Sequence, residues 1–404
     1  MTYRKFKADY LFLGDRMAGS DSVLITTDDG TVQDVVPAAV AGEDILYHPG
    51  LLCPGFVNAH CHLELSHMRG TIPEGTGLVD FLGAVIRRRN SDYGRSYRPP
   101  SQRGADGPRE GELLQTAIAA AEKEMLDGGI VAVGDICNTA DTLEQKLAGR
   151  LCYHNFIETI GFVEQAAPAR FEQSRAVQDR FSGRHSLVPH APYSVSAGLF
   201  RLIAGLAGNR LLTMHNQETE EENAFFLSGQ GDFLRLYEML GVDVSFFKGT
   251  GQRSLESCLS YFNKEQTMIL VHNVATGGED LRVLPAGGPE LYFCLCPNAN
   301  LYIGGQLPDV DLLVRSGCRI VVGTDSLASN HRLSVLEELK TLQRAFPSLD
   351  TAELLGWATG NGARALQMEE GLGSFSAGKK PGVVLLTGLE ERRLAAGTSA
   401  RRII

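Results

Sequence analysis

The chain has 404 residues, 43% of them hydrophobic, and a formal net charge of -10. That is enough apolar material for one large barrel or two domains, while the acidic balance argues against nucleic acid or an anionic membrane surface as a partner. No apolar run approaches the roughly 18 residues of a membrane span, and Met1–Asp9 lacks the apolar core of a signal peptide.

Residues from about Phe6 to Leu52 alternate apolar and polar side chains in short pieces, such as Ser22-Val-Leu-Ile-Thr26, separated by turn signals such as Asp28-Asp-Gly30. The pattern predicts short strands of a small β domain. From Phe56 onward, short apolar strands alternate with longer helical stretches. After the opening strand come Ile130–Asp135, Leu151–Glu158, Ser186–His190, Leu211–His215, Met268–His272, Leu291–Cys296 and Ile320–Asp325, eight in all. The intervening segments Glu112–Met125 and Ser334–Leu342 read as amphipathic helices. Eight strand–helix units over about 310 residues predict a (β/α)8 TIM barrel with insertions. The competing α/β fold, a doubly wound sheet, would carry a Gly-rich phosphate loop after its first strand, and none is present.

Two insertions are expected near the rim that follows the strands: residues 90–111, rich in Gly and Pro, and residues 219–262, which begin acidic. After the helix at Trp357, the strand Val383–Leu386 is expected to return to the N-terminal β sheet. The predicted layout is residues 1–54 as the first part of a discontinuous β-sandwich domain, 55–368 as the barrel, and 369–404 as the second part. The eight cysteines form no CxxC pair, so they read as small core residues in a reducing cytosol.

Chemistry concentrates where the strands stop. In Leu52-Cys-Pro-Gly-Phe-Val-Asn-Ala-His-Cys-His-Leu-Glu64, His60 and His62 are two apart, so a strand presents both imidazoles on one face. His190, His215, His272 and Asp325 stand at the ends of strands 4, 5, 6 and 8. In a barrel that rim carries the catalytic residues. Imidazole nitrogen and carboxylate oxygen suit zinc, with iron or manganese as alternatives, and leave a position for water. Glu218, three residues past His215, either moves a proton there or opens an acidic helix N-terminus with Glu220–Glu222. Arg87-Arg88-Arg89 reads as a solvated helix end, with gripping a substrate anion as the lesser reading.

These residues resemble a known family. Pro54-Gly-Phe-Val-Asn-Ala-His-Cys-His62, His215-Asn-Gln-Glu218, Leu270-Val-His-Asn273 and Gly323-Thr-Asp-Ser326 are similar to the strand 1, 5, 6 and 8 motifs of the amidohydrolase superfamily. The resemblance covers essentially the whole chain and is greatest to its mononuclear aminohydrolases, which act on S-adenosylhomocysteine, methylthioadenosine, aminofutalosine and related amino-heterocycles. It implies His60, His62, His215 and Asp325 as ligands of one divalent metal, whose effect is to lower the pKa of its water toward 7. No strand-4 lysine is available to bridge two metals. It further implies His272 and Asp325 orienting that water and taking its proton, and Glu218 protonating the ring nitrogen and assisting ammonia departure. His190, Ser326 and Asn90 are the expected substrate contacts. Asn90, with Asp92 beside it, aligns where related enzymes place a carboxylate for ribose hydroxyls. A small-molecule heterocycle as substrate and a homodimer follow from the same resemblance. A dehalogenating or ring-opening hydrolase could use the same site, and a non-catalytic scaffold would be expected to have lost the ligands.

Overall fold

The computed structural model describes residues 2–96, 110–285 and 287–404, without the side chains of residues 90–96 and 110. Asn90, Asp92 and nearly all of the 90–111 insertion therefore lie outside the described side chains. The N-terminal strands β1 (Tyr3–Leu11), β2 (Ser22–Thr27), β3 (Val32–Pro37) and β4 (Ile45–Pro54) join the C-terminal strands β13 (Val383–Thr387) and β14 (Ser399–Arg402) in one six-stranded sheet. Its order is β14-β13-β4-β1-β2-β3. Alternation divides the side chains of β13 between two cores. Val383 and Leu385 pack with Phe6, Leu24 and Phe375, whereas Val384 and Leu386 join the core shared with the rest of the chain.

Gly55 connects β4 to the first barrel strand. A Cβ there would stand 2.2 Å from Val131 Cγ1 and 2.7 Å from the Pro381 carbonyl, so only glycine allows the two sheets to approach. Eight parallel strands follow: β5 (Phe56–Cys61), β6 (Ile130–Cys137), β7 (Cys152–Thr159), β8 (His185–Pro189), β9 (Leu211–Asn216), β10 (Thr267–His272), β11 (Glu290–Leu295) and β12 (Ile320–Val322). They pair in sequence order as two four-stranded sheets, β5 to β8 and β9 to β12. Two seams close the ring. The His215 N–H donates to the His190 carbonyl at 2.8 Å, and the N–H groups of Thr324 and Asp325 donate to the His60 carbonyl at 3.0 and 3.1 Å. The result is the predicted (β/α)8 barrel. Every residue of β5, β6, β9 and β10 is buried, as befits parallel strands covered on both faces.

The helices that matter to the rim are α1 (Leu78–Ser96), α2 (Glu110–Asp127), three within the 219–262 insertion, namely α3 (Glu220–Ser228), α4 (Phe233–Met239) and α5 (Ser254–Leu259), and α6 (Val335–Ala345). Arg235 on α4 donates to Asp80 on α1 at 2.6 Å, so the insertion folds over the first helix. All eight cysteines are free. Cys152 is exposed and Cys318 half-buried, which corrects their expected place in the core: Cys152 is the first residue of β7 and Cys318 lies two residues before β12, not in the packed middle of a strand.

Candidate active site

The C-terminal ends of the barrel strands converge on one buried group. His60 is the penultimate residue of β5 and His62 follows the strand, while His215 comes from β9. One ligand atom from each lies within 4.8 Å of the others. Asp325 Oδ1 sits 3.6 Å from His60 Nε2 and 3.4 Å from His62 Nε2. Its Oδ2 accepts a hydrogen bond from Ser329 Oγ at 2.6 Å, which leaves Oδ1 facing the imidazoles. Burial pushes His60 down to about 4 and His62 well below its ordinary value, so both rings are neutral and keep lone pairs.

These donors fit a divalent cation. Both ring nitrogens of His60 and Nδ1 of His62 are buried with no hydrogen-bond partner, and His62 Nε2 points at His215 Nε2 from 3.2 Å. Three imidazoles and a carboxylate aimed at one point are stable together when a cation accepts their lone pairs. The opposite nitrogen of His215 is already used: Nδ1–H donates to the His190 carbonyl at 2.9 Å, the orientation that a metal-binding histidine needs.

His272, from the end of β10, joins the site, and both it and Asp325 take left-handed backbone. His272 has φ of 77° and Asp325 of 56°, a conformation that costs energy for residues other than glycine. The strand ends hold them. The Asn273 N–H donates to the Asn216 carbonyl at 3.0 Å and the Asp325 N–H to that of His60. His272 Nδ1 is 2.7 Å from Asn300 Oδ1, so Nδ1 carries the hydrogen and Nε2 keeps a lone pair. That Nε2 lies 3.7 Å from Glu218 Oε1. Burial raises the Glu218 carboxyl to about 8, with the Asp325 charge adding to the effect and His215 opposing it. Glu220–Glu222 do open helix α3, as the helix-dipole reading expects, but Glu222 is fully buried, its Oε1 accepting from the Gln217 N–H at 3.0 Å.

All of this opens into a cavity of about 580 Å³. His190, Ser326, Glu218, His272 and Asp325 line it. Its outer wall is apolar: Leu78, Phe81, Leu82 and Val85 on α1 face Leu236, Leu240 and Val242 of the insertion. Four polar residues in or beside the cavity had not been singled out as site residues. Arg89 turns inward rather than ending in solvent, and Asn138, Glu158 and Tyr193 line the wall, the last with an unpartnered hydroxyl. Helical spacing could have found Arg89, which is four and eight residues from Val85 and Phe81 on one stripe.

The profile of the amidohydrolase family matches residues 51–401. The chain belongs to the amidohydrolase family. Among its amidohydrolase relatives, the adenosine deaminase of Helicobacter pylori is 27% identical over 336 residues, covering 80% of this chain and 76% of that protein. The 5'-deoxyadenosine deaminase of Methanothermobacter thermautotrophicus is 27% identical over 392 residues, covering 90% and 80%. The crystal structure of Helicobacter pylori aminofutalosine deaminase superposes with a TM-score of 0.79 at 21% identity, covering the whole of both chains, which establishes the shared amidohydrolase fold.

Proposed function

We propose that this amidohydrolase is a metal-dependent deaminase that releases ammonia from an adenine-type nucleoside derivative or a related amino-heterocycle. The observation that carries the reading is the pairing of a four-donor cation site with a buried Glu218 beside it, its Oε1 3.7 Å from His272 Nε2. His60, His62, His215 and Asp325 would hold one divalent ion, with zinc favoured by the donor set. When bound, such an ion acidifies water and so supplies a nucleophile at neutral pH.

The protein's own groups do the rest. Glu218 carries a proton at neutral pH and donates it to the ring nitrogen next to the amino-bearing carbon, which makes that carbon electrophilic. His272, fixed by Asn300 with a free Nε2, and Asp325 orient the attacking water and take its proton. That proton passes to the amino group, the proton of the newly added hydroxyl returns to Glu218, and the C–N bond breaks, leaving a ring carbonyl and ammonia. His190 and Ser326 contact the substrate, and the apolar outer wall accepts its substituent. The buried walls also keep bulk water away from these transfers. The same reading carries a cytosolic setting and a homodimeric assembly.

Relatives whose names specify deamination of adenosine and 5'-deoxyadenosine support this choice of bond over dehalogenation. The test is ammonia release by zinc- or manganese-loaded protein from adenosine, methylthioadenosine, S-adenosylhomocysteine, aminofutalosine, guanine and aminotriazines, with Glu218→Gln as control. Release from one adenine nucleoside that is lost in the control supports the reading. Silence across the panel with the metal bound removes it.

A further inference from the structure

One carboxylate in the cavity has no part in the hydrolytic steps. Glu158 lies near the end of β7, buried beside His190 and His215. Its Oε2 accepts a hydrogen bond from Asn138 Nδ2 at 2.8 Å. Asn138 is itself fixed. Its Oδ1 accepts from Arg89, whose guanidinium also pairs with the buried carboxylate of Glu64. Glu64 Oε2 in turn accepts from the N–H groups of Asn138 and Thr139 at 3.1 and 3.2 Å. This chain of contacts ties α1, the turn after β5 and the end of β6 to one oxygen of Glu158 and so sets the plane of its carboxyl group.

The other oxygen, Oε1, is buried and has no donor. His215 Nδ1 stands 3.7 Å away, too far for a hydrogen bond, and already donates to the His190 carbonyl. An acceptor in this position is destabilising unless something supplies a hydrogen. Glu158 lines the cavity, so a molecule bound there can supply it.

We propose that Glu158 is a specificity-determining residue whose free oxygen accepts a hydrogen bond from an O–H or N–H group of the substrate. The protein then prefers amino-heterocycles that carry such a donor over isosteres that lack it. This rests on the aminohydrolase reading above. The donor has two chemical sources, a sugar hydroxyl or a ring N–H. A second metal ion is the competing occupant, since Glu158, His190 and His215 each offer an atom within 4.8 Å of the others. It is disfavoured because the His215 nitrogen on this side bears a hydrogen, which it donates to the His190 carbonyl.

Titration calorimetry separates these cases. The zinc-loaded Glu218→Gln protein, which does not turn substrate over, is compared with the same protein carrying Glu158→Gln as well. Adenosine against 2',3'-dideoxyadenosine probes the sugar hydroxyls, and 9-deazaadenosine, which carries an N7–H, against adenosine, which has none, probes a ring N–H. The expected result is tighter binding of the donor-bearing member in one pair, on the order of 10- to 100-fold for a hydrogen bond to a charged group. In the Glu158→Gln protein, Asn138 holds the amide oxygen where Oε2 stood, so the amide NH2 faces the cavity and that preference is lost or reversed. Equal binding within both pairs before Glu158 is changed overturns the proposal, even if the second variant fails to fold. So does a preference that survives Glu158→Gln, or a second zinc ion that the variant loses. Ammonia release by the wild type is measured alongside. Release with no pairwise preference keeps the deaminase reading and removes the role of Glu158. A preference that Glu158→Gln abolishes, without ammonia release from any substrate, does the reverse.

Discussion

Replacing Lys146 by methionine would expose the cost of an uncompensated charge beneath the site. Lys146 Nζ lies 2.5 Å from Asp135 Oδ2, with the two side chains 6% and 0% exposed. Asp135 Oδ1 accepts from the Leu63 N–H at 2.8 Å, directly after His62. Lys146 also donates to Asn155 Oδ1 at 2.7 Å. Lys146→Met keeps most of the apolar stem but removes the ammonium, which also lies 4.9 Å from the Tyr153 ring centre and 5.5 Å from that of Phe181, and so strands the carboxylate. Breaking a buried pair from one side costs about 3–5 kcal/mol. For a chain of 404 residues, with an unfolding entropy of about 2.1 cal/mol/K per residue, that lowers Tm by roughly 4–6 °C. Adding Asp135→Asn keeps an acceptor for Leu63 and removes the charge, so the double variant should regain part of the loss. Differential scanning calorimetry of both variants is the assay. A Lys146→Met protein within 1 °C of wild type, or a double variant less stable than the single, would refute the reasoning.

Other outcomes follow from the same structure. Gly323→Ala would set a Cβ 2.8 Å from that of His60, so it should cost roughly 1–3 kcal/mol and weaken zinc binding in a competitive chelator titration. Asn300→Ala removes the partner that orients His272; kcat/KM should fall on the order of 10- to 100-fold, with zinc content unchanged. Burial raises Glu222 from 4.5 to about 7. The folded state therefore holds its proton more tightly than the unfolded chain, and this contribution to stability, complete below pH 4.5, is lost as pH rises through 7. Glu222→Gln should accordingly raise Tm, relative to wild type, more at pH 8 than at pH 4.5, as thermal melts at the two pH values can show. Chelation of a metal present at 100 times its Kd should remove about 2.7 kcal/mol, or roughly 3 °C of Tm, restored by zinc.

The barrel was legible because its strands are short apolar runs with chemistry at their ends, and a parallel strand buried on both faces leaves that signature. His60 and His62 could be paired from spacing alone, since the period of a strand is two. Glu158 shows where this stops. It shares a strand face with His154, yet His154 packs against Ser186 while Glu158, at the rim, reaches the cavity. Which of the two faces a ligand depends on where β7 ends relative to its neighbours, a tertiary property. Arg89 was hidden by its company. Arg87 and Arg88 are exposed, and a run of three arginines reads as one solvated surface until the helix is turned to show Arg89 on the stripe of Phe81 and Val85. In the insertion at 219–262 the acidic run Glu220–Glu222 marked the start of α3, whereas α4, whose Leu236 helps build the outer wall, carried no such signal because its apolar positions serve the cavity as well as the core.

The most direct test of the account is turnover in water enriched in oxygen-18, with mass spectrometry of the product and an ammonia assay on the same sample. Using the zinc-loaded protein and whichever nucleoside it consumes, hydrolytic deamination predicts one oxygen-18 atom in the product ring for each ammonia released, and neither in Glu218→Gln. Product without the label, or label incorporated with no ammonia freed, would contradict it.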